Sequence, residues 1–378
     1  MKTKLLAPIL AGLVTVSGFT EEPPKTAEQR PLVQLAILLD TSGSMDGLIA
    51  QAKTQLWQIV NEFISARQDG QAPRVEVALY EYGNDGLKEK EGFIRQISPL
   101  SEDLDKISES LFALKTNGGS EFCGWVIRDA VRELAWNPSS KVYKAIFIAG
   151  NEPFTQGPVK YAGACKGAVE HGIIVNTIHC GPEKEGVEGQ WLAGAKVADG
   201  KFMTIDTNAQ MVAINAPQDK DIAALNAKLN ETYYGWGAFG AEGKARQIAQ
   251  DSNAASVPAA PAVTASRAKT KASANYSNSR WDLLDAVKEK KLDLSKAKDA
   301  ELPEEVRKLE PAKRAEFVEA KQKEREAVQA ELQKLSKERD QYVATQQKAQ
   351  SDDRRLDNAV SGAVREQAGK KAFVFGVK

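Results

Sequence analysis

The feature that most constrains this chain is an alternation of two patterns. Near-continuous apolar runs of strand length take turns with longer stretches whose apolar residues recur at helical spacing. "VQLAILLD" (33–40) and "YKAIFIAG" (143–150) are of the first kind, too apolar for a strand with one wet face. "LIAQAKTQLWQIVNEFI" (48–64) is of the second, with Ile49, Ala52, Leu56, Ile59, Val60 and Phe63 on one helical face. Further strands are expected at 75–83, 93–100, 173–180 and 201–206, and helices at 103–114, 122–136, 158–171 and 186–197. This implies a Rossmann-like, doubly wound, mainly parallel α/β sheet over residues 32–215, with helices on both faces and right-handed crossovers. Ligands of such sheets bind outside the carboxyl ends of the strands. Asp40 ends the first strand and so stands at that edge.

Two serines follow, in "DTSGSM" (40–45). Hydroxyls at i and i+2 of an extended loop point the same way, so Asp40, Ser42 and Ser44 form a cluster of hard oxygens. Mg²⁺ suits such a cluster, since it takes oxygen ligands octahedrally and keeps several waters. A second loop, "LKTNGGSEFCGW", offers the Thr116 hydroxyl, and Gly118 and Gly119 make a tight turn ahead of Glu121. A bare turn would also use Asp, Ser and Gly, but a turn alone does not explain the buried strand before it and the matching second loop.

The residues "DTSGSM" (40–45), "TNGG" (116–119) and "AIFIAGNEP" (145–153) resemble the von Willebrand factor A (VWA) family, and the strand–helix order agrees over residues 32–215. The phrase "FIAGNEPF" resembles a bacterial exported branch of that family. The resemblance implies a metal-ion-dependent adhesion site binding Mg²⁺, or Mn²⁺ or Ca²⁺. In it Ser42, Ser44 and Thr116 would meet the metal directly, and Asp40 would hold bound water and help neutralise the charge. An acidic side chain of a protein partner would complete the coordination. The chain departs from the family where the fourth strand usually ends in aspartate, because Ala149, Gly150 and Asn151 stand there. Asn151, Glu152 or Glu121 would have to compensate for the missing charge.

The rest of the chain reads more simply. Lys2 and Lys4 precede an apolar stretch and small residues, which implies a secretory leader at 1–20 and a spacer at 21–31. The mature protein would then be exported, periplasmic or extracellular in a bacterium, and no later stretch is apolar enough to span a membrane. Export permits one disulfide among Cys123, Cys165 and Cys180, with the pairing open. Residues 31–250 carry 21 basic against 27 acidic side chains, a balance of −6, which disfavours nucleic acid as a partner. A helical extension is expected at 216–252. Residues 253–279, rich in Ala, Ser, Pro and Thr, read as a flexible linker. Residues 280–350 read as a charged helical tail and 351–378 as a C-terminal segment. In the tail, Val328, Leu335 and Tyr342 keep a seven-residue spacing, whereas Arg339 interrupts the companion row of Leu332. That allows a coiled coil with a weak stripe for self-association.

Enzyme signatures for phosphate loops, zinc proteases and serine-hydrolase elbows are missing from the sequence. A hydrolase built on Ser42 would need His179 as its base. His171 falls at a helix end, where it can favour the dipole. The reading is thus a non-enzymatic, exported protein that binds a protein partner through a divalent-metal site. The alternatives are a metal-independent envelope scaffold using the same fold and tail, and a serine hydrolase.

Overall fold

A computed structural model describes residues 30–206, 208, 214–347 and 356–376; the expected leader lies outside the described residues. The strands are β1 (Leu32–Asp40), β2 (Ala66–Arg67), β3 (Arg74–Tyr82), β4 (Ile94–Ser101), β5 (Tyr143–Gly150), β6 (Ile174–Cys180), β7 (Phe202–Ile205) and β8 (Val374–Phe375). Six of them form one sheet in the order β4-β3-β1-β5-β6-β7, parallel throughout except for the edge pair β3–β4. The chain order reverses between β1 and β5, which places the ends of these two strands at the ligand-binding crevice of a doubly wound sheet.

Helices cover both faces. On one lie α1 (Asp46–Asn61) and α2 (Leu104–Ala113); on the other lie α3 (Cys123–Glu133), α4 (Tyr161–Glu170) and, after the short α5 (Glu183–Glu188), α6 (Trp191–Val197). β1 explains its own sequence: Val33, Leu35 and Leu39 face the first layer and Ala36 and Leu38 the second. This is the doubly wound, mainly parallel α/β fold expected from the sequence.

The C-terminal half corrects the sequence reading. The extension holds two helices, α7 (Asp219–Asn230) and α8 (Gly240–Ser256). The segment expected as a flexible linker holds a packed helix, α9 (Ala260–Lys271), with Ala262, Ala265 and Ala268 buried. Small residues let α9 lie close against α1 and α8, so few large side chains are needed. Its two buried cations are paired: Arg267 Nη1 meets Asp105 Oδ1 of α2 at 2.6 Å, and Lys271 Nζ meets Asp251 Oδ2 of α8 at 3.0 Å.

The charged tail is α10 (Leu283–Lys288), α11 (Glu304–Arg307) and the long α12 (Pro311–Gln347). The stripe expected to drive self-association turns inward. Val328 and Leu332 are buried, with Leu335 beside them, against Ile222 and Leu229 of α7 and Ala265 and Ala268 of α9. Arg339, which broke the companion row, pairs with Asp219 of α7 at 2.6 Å.

The final segment is part of the sheet domain. In α13 (Leu356–Gly369), Val360, Ala363, Val364 and Ala368 enter the same core as β1 and α1, followed by Phe373. Gln367 bonds Tyr143 Oη of β5 at 2.8 Å and Asn176 Oδ1 of β6 at 2.6 Å. β8 then pairs antiparallel with β2. Residues between β7 and α13 are therefore an insertion, and the boundary expected at 215 cuts the sheet domain short. No helix among the described residues is long and apolar enough to cross a membrane.

Candidate metal centre

Four loops meet at the carboxyl edge of the sheet, those that leave β1, β3 and β5 and the one before α3, and backbone contacts join the β1, β3 and α3 loops. Asn117 N donates to Thr41 O at 3.0 Å and Asp85 N to Gly118 O at 2.5 Å. Gly119 lies so close to β3's exit that a Cβ on it would fall 2.1 Å from Gly83 O, so the position admits only glycine.

Asp40 is fully buried there. Its Oδ1 accepts from Ser42 N at 2.7 Å, while Oδ2 meets the hydrogen-bond criteria with no described residue. Ser42 Oγ faces Ser44 Oγ at 3.3 Å, and Asn151 Nδ2 donates to Ser44 Oγ at 3.2 Å. Asn151 Oδ1 is a second buried oxygen without a hydrogen-bond partner among the described residues. Glu121, 5% exposed, comes in from the loop before α3. A Cβ on Gly83 would lie 2.8 Å from Glu121 Cγ and 2.9 Å from Asp40 Oδ1, so the Glu121 side chain and the Asp40 carboxylate flank the same spot. Burial pushes each carboxyl up to about 7; Glu152 adds to the rise at Asp40, and Asp40 and Glu152 add to it at Glu121. Gln156 ties the two acidic loops together, accepting from Glu121 N at 3.3 Å and donating to Glu152 Oε2 at 3.2 Å.

The structure thus brings Asp40, Ser42, Ser44, Asn151 and Glu121 together. Thr116 it places differently. Its hydroxyl donates to Asp46 Oδ1 at the start of α1, and no hydrogen bond joins it to Ser42 or Ser44 among the described residues. Asp46 had no motif to mark it. His179 is buried against Trp191, ring centroids 5.8 Å apart, and no hydrogen bond joins it to Ser42 among the described residues. His171 caps α4, its Nδ1 2.8 Å from Gly167 O. The three cysteines are free and buried, and burial pushes the Cys165 thiol up to about 12.

Sequence reasoning also missed Tyr82. It ends β3 directly opposite Asp40. Its hydroxyl donates to Ala149 O at 2.9 Å and takes the Cys123 thiol at 3.8 Å. That commits the phenol's one proton and leaves none for Asp40 Oδ2. It also fills the place that a side chain at 150 would need: a Cβ on Gly150 would lie 2.5 Å from Tyr82 Oη and 3.0 Å from Asp40 Oδ2. Gly150 is not among the positive-φ residues, so space alone sets the glycine there. The signal available was positional: a hydroxyl-bearing aromatic ends the strand beside β1.

The set suits a hard divalent cation: all donors are oxygens, and two buried ones, Asp40 Oδ2 and Asn151 Oδ1, lack partners among the described residues. Carboxylates alone do not make it, since no group of three or more His, Cys, Asp or Glu gathers as metal ligands among the described residues. The hydroxyl and amide oxygens have to count.

No family model matches the chain, and no curated protein does. Solved structures do, over a little under half of it. Proximal thread matrix protein 1 from the mussel byssus is 13% identical over 47% of this chain, with a TM-score of 0.36. This chain spans only 43% of that protein's length. A form of the same protein with a zinc-occupied MIDAS motif is 14% identical over 47% of this chain and 43% of its own, with a TM-score of 0.35. The conserved hypothetical protein BatB from Bacteroides thetaiotaomicron is 20% identical over 46% of this chain and 90% of its own, with a TM-score of 0.35. The SpRpn10 VWA domain is 16% identical over 47% of this chain and 90% of its own, with a TM-score of 0.36.

Proposed function

We propose that this chain is an exported protein that binds a protein partner through a divalent-cation site at the end of β1. The observation that carries the reading is Oδ2 of fully buried Asp40, which meets the hydrogen-bond criteria with no described residue and is held among the Ser42, Ser44, Asn151 and Glu121 side chains. A buried carboxylate is costly unless a cation or donor meets it. Asp40, Ser42 and Ser44 would hold the ion from β1, and Glu121 would supply the second carboxylate in place of the aspartate missing at 150. A bound cation would supply an open position for a partner's carboxylate. Ser42 and Ser44 are oriented by each other, and Ser44 by Asn151, so this chain's own contribution is a hydrogen-bonded oxygen set. Export is proposed on the leader at 1–20.

A second reading is favoured by one observation. The Thr116–Asp46 bond takes up a hydroxyl that a tight metal site would use, which suits a scaffold that keeps the fold without metal. Thermal melts with Mg²⁺, Mn²⁺ or chelator decide between them. The metal reading expects the cation to raise Tm in wild type and to do little in Glu121→Gln. Identical melts in all conditions favour the scaffold.

A further inference from the structure

Beside the candidate centre the surface opens into a groove of about 530 Å³. Asp46 and Thr116 close its near end. Phe112 and Leu114 form one wall, and Val257 and Pro258, from the turn between α8 and α9, form another. The second wall thus comes from the insertion, which turns the edge of the sheet domain into a trough. Two cations stand in it. Lys53 of α1 lies with Nζ 5.8 Å from the centroid of the Phe112 ring, and Lys115 is exposed. Neither forms an ion pair with a described residue.

A trough with apolar walls and two ammonium groups set against one carboxylate, Asp46, is complementary to a segment that alternates carboxylates with large apolar side chains. The geometry points to this groove as the docking site of an acidic, extended peptide segment of the protein partner. Its carboxylates meet Lys53 and Lys115, and its apolar side chains pack on Phe112, Leu114, Val257 and Pro258. This rests on the protein-binding part of the proposed function and extends it to a partner class.

The test selects random dodecapeptides, displayed on phage, on the immobilised full chain in Mg²⁺. The expected consensus is Asp or Glu interleaved with large apolar residues. A labelled peptide of that consensus should lose at least tenfold in affinity when Lys53→Gln and Lys115→Gln are combined, with the melt of the variant unchanged. No consensus, a basic consensus, or a peptide indifferent to the lysine pair overturns the groove. A chelator arm keeps the two ideas apart. Binding that needs the lysines but survives chelator keeps the groove and removes the cation. Binding lost to chelator but indifferent to the lysines keeps the cation and removes the groove.

Discussion

Asp40 concentrates the conflict between burial and charge. With its carboxyl pushed up to about 7 by burial, only partly offset by Ser42, its folded value lies above the unfolded one. The sign follows: its contribution to stability is complete below about pH 4 and is lost as pH rises through 7. Asp40→Asn keeps the acceptor for Ser42 N and removes the charge. Without divalent cation it is expected to raise Tm at pH 8, within a ceiling of about 4 kcal/mol, and to flatten the stability profile between pH 5 and 8. An Asn variant that melts lower in chelator would show that the carboxylate is not strained. Gly150 gives a second prediction. Gly150→Asp alone should lower Tm, because its Cβ would meet Tyr82 Oη, whereas adding Tyr82→Phe should restore Tm and strengthen cation binding. If the single variant melts like wild type, Tyr82 does not fill that space. Asp40, Ser42 and Ser44 were legible in sequence because they are contiguous. Glu121, Asp46 and Tyr82 take part only because four loops converge, and no local spacing reports that.

At the scale of elements, strands were legible because burial on both faces leaves an unbroken apolar run. Helix α9 was not. Ala262, Ala265, Ala268 and Ala272 repeat at helical spacing, and all are buried. They carry little hydrophobicity, so composition read them as linker. Arg267 misled in the same way. A fully buried arginine is exceptional, and this one is sustained by Asp105 and Asp251 and by Trp57, whose ring centroid is 4.7 Å away. Arg267→Leu leaves both aspartates buried without it and should cost about 3–5 kcal/mol. A chemical denaturation midpoint that does not move would mean that the pair rearranges toward Lys271.

For the whole molecule, the chain leaves the sheet domain after β7 and returns as α13, so its last residues complete its first core. Sequence order hid this, since segments near each other in sequence were grouped together. Val360, Val364 and Phe373 together bury side chains worth roughly 5–9 kcal/mol, which is comparable to the whole stability of a typical domain, about 5–15 kcal/mol. Removing residues 356–378 should therefore abolish the cooperative melt of the sheet domain. A fragment ending at 355 that melts like the full chain would refute this closure. The insertion has a second consequence, because its turn at Val257 and Pro258 lines one groove with Asp46 and Thr116, so the edge loops and the insertion present one surface.

The central claim is that the oxygens around Asp40 hold a divalent cation, and Mn²⁺ binding to the full chain, followed by paramagnetic resonance of the free ion, tests it most directly. The account predicts one Mn²⁺ site per chain that Mg²⁺ displaces, weakened by Glu121→Gln and lost in Asp40→Asn. Wild type that leaves the free Mn²⁺ signal unchanged, or an Asp40→Asn variant that binds Mn²⁺ as wild type does, would contradict it.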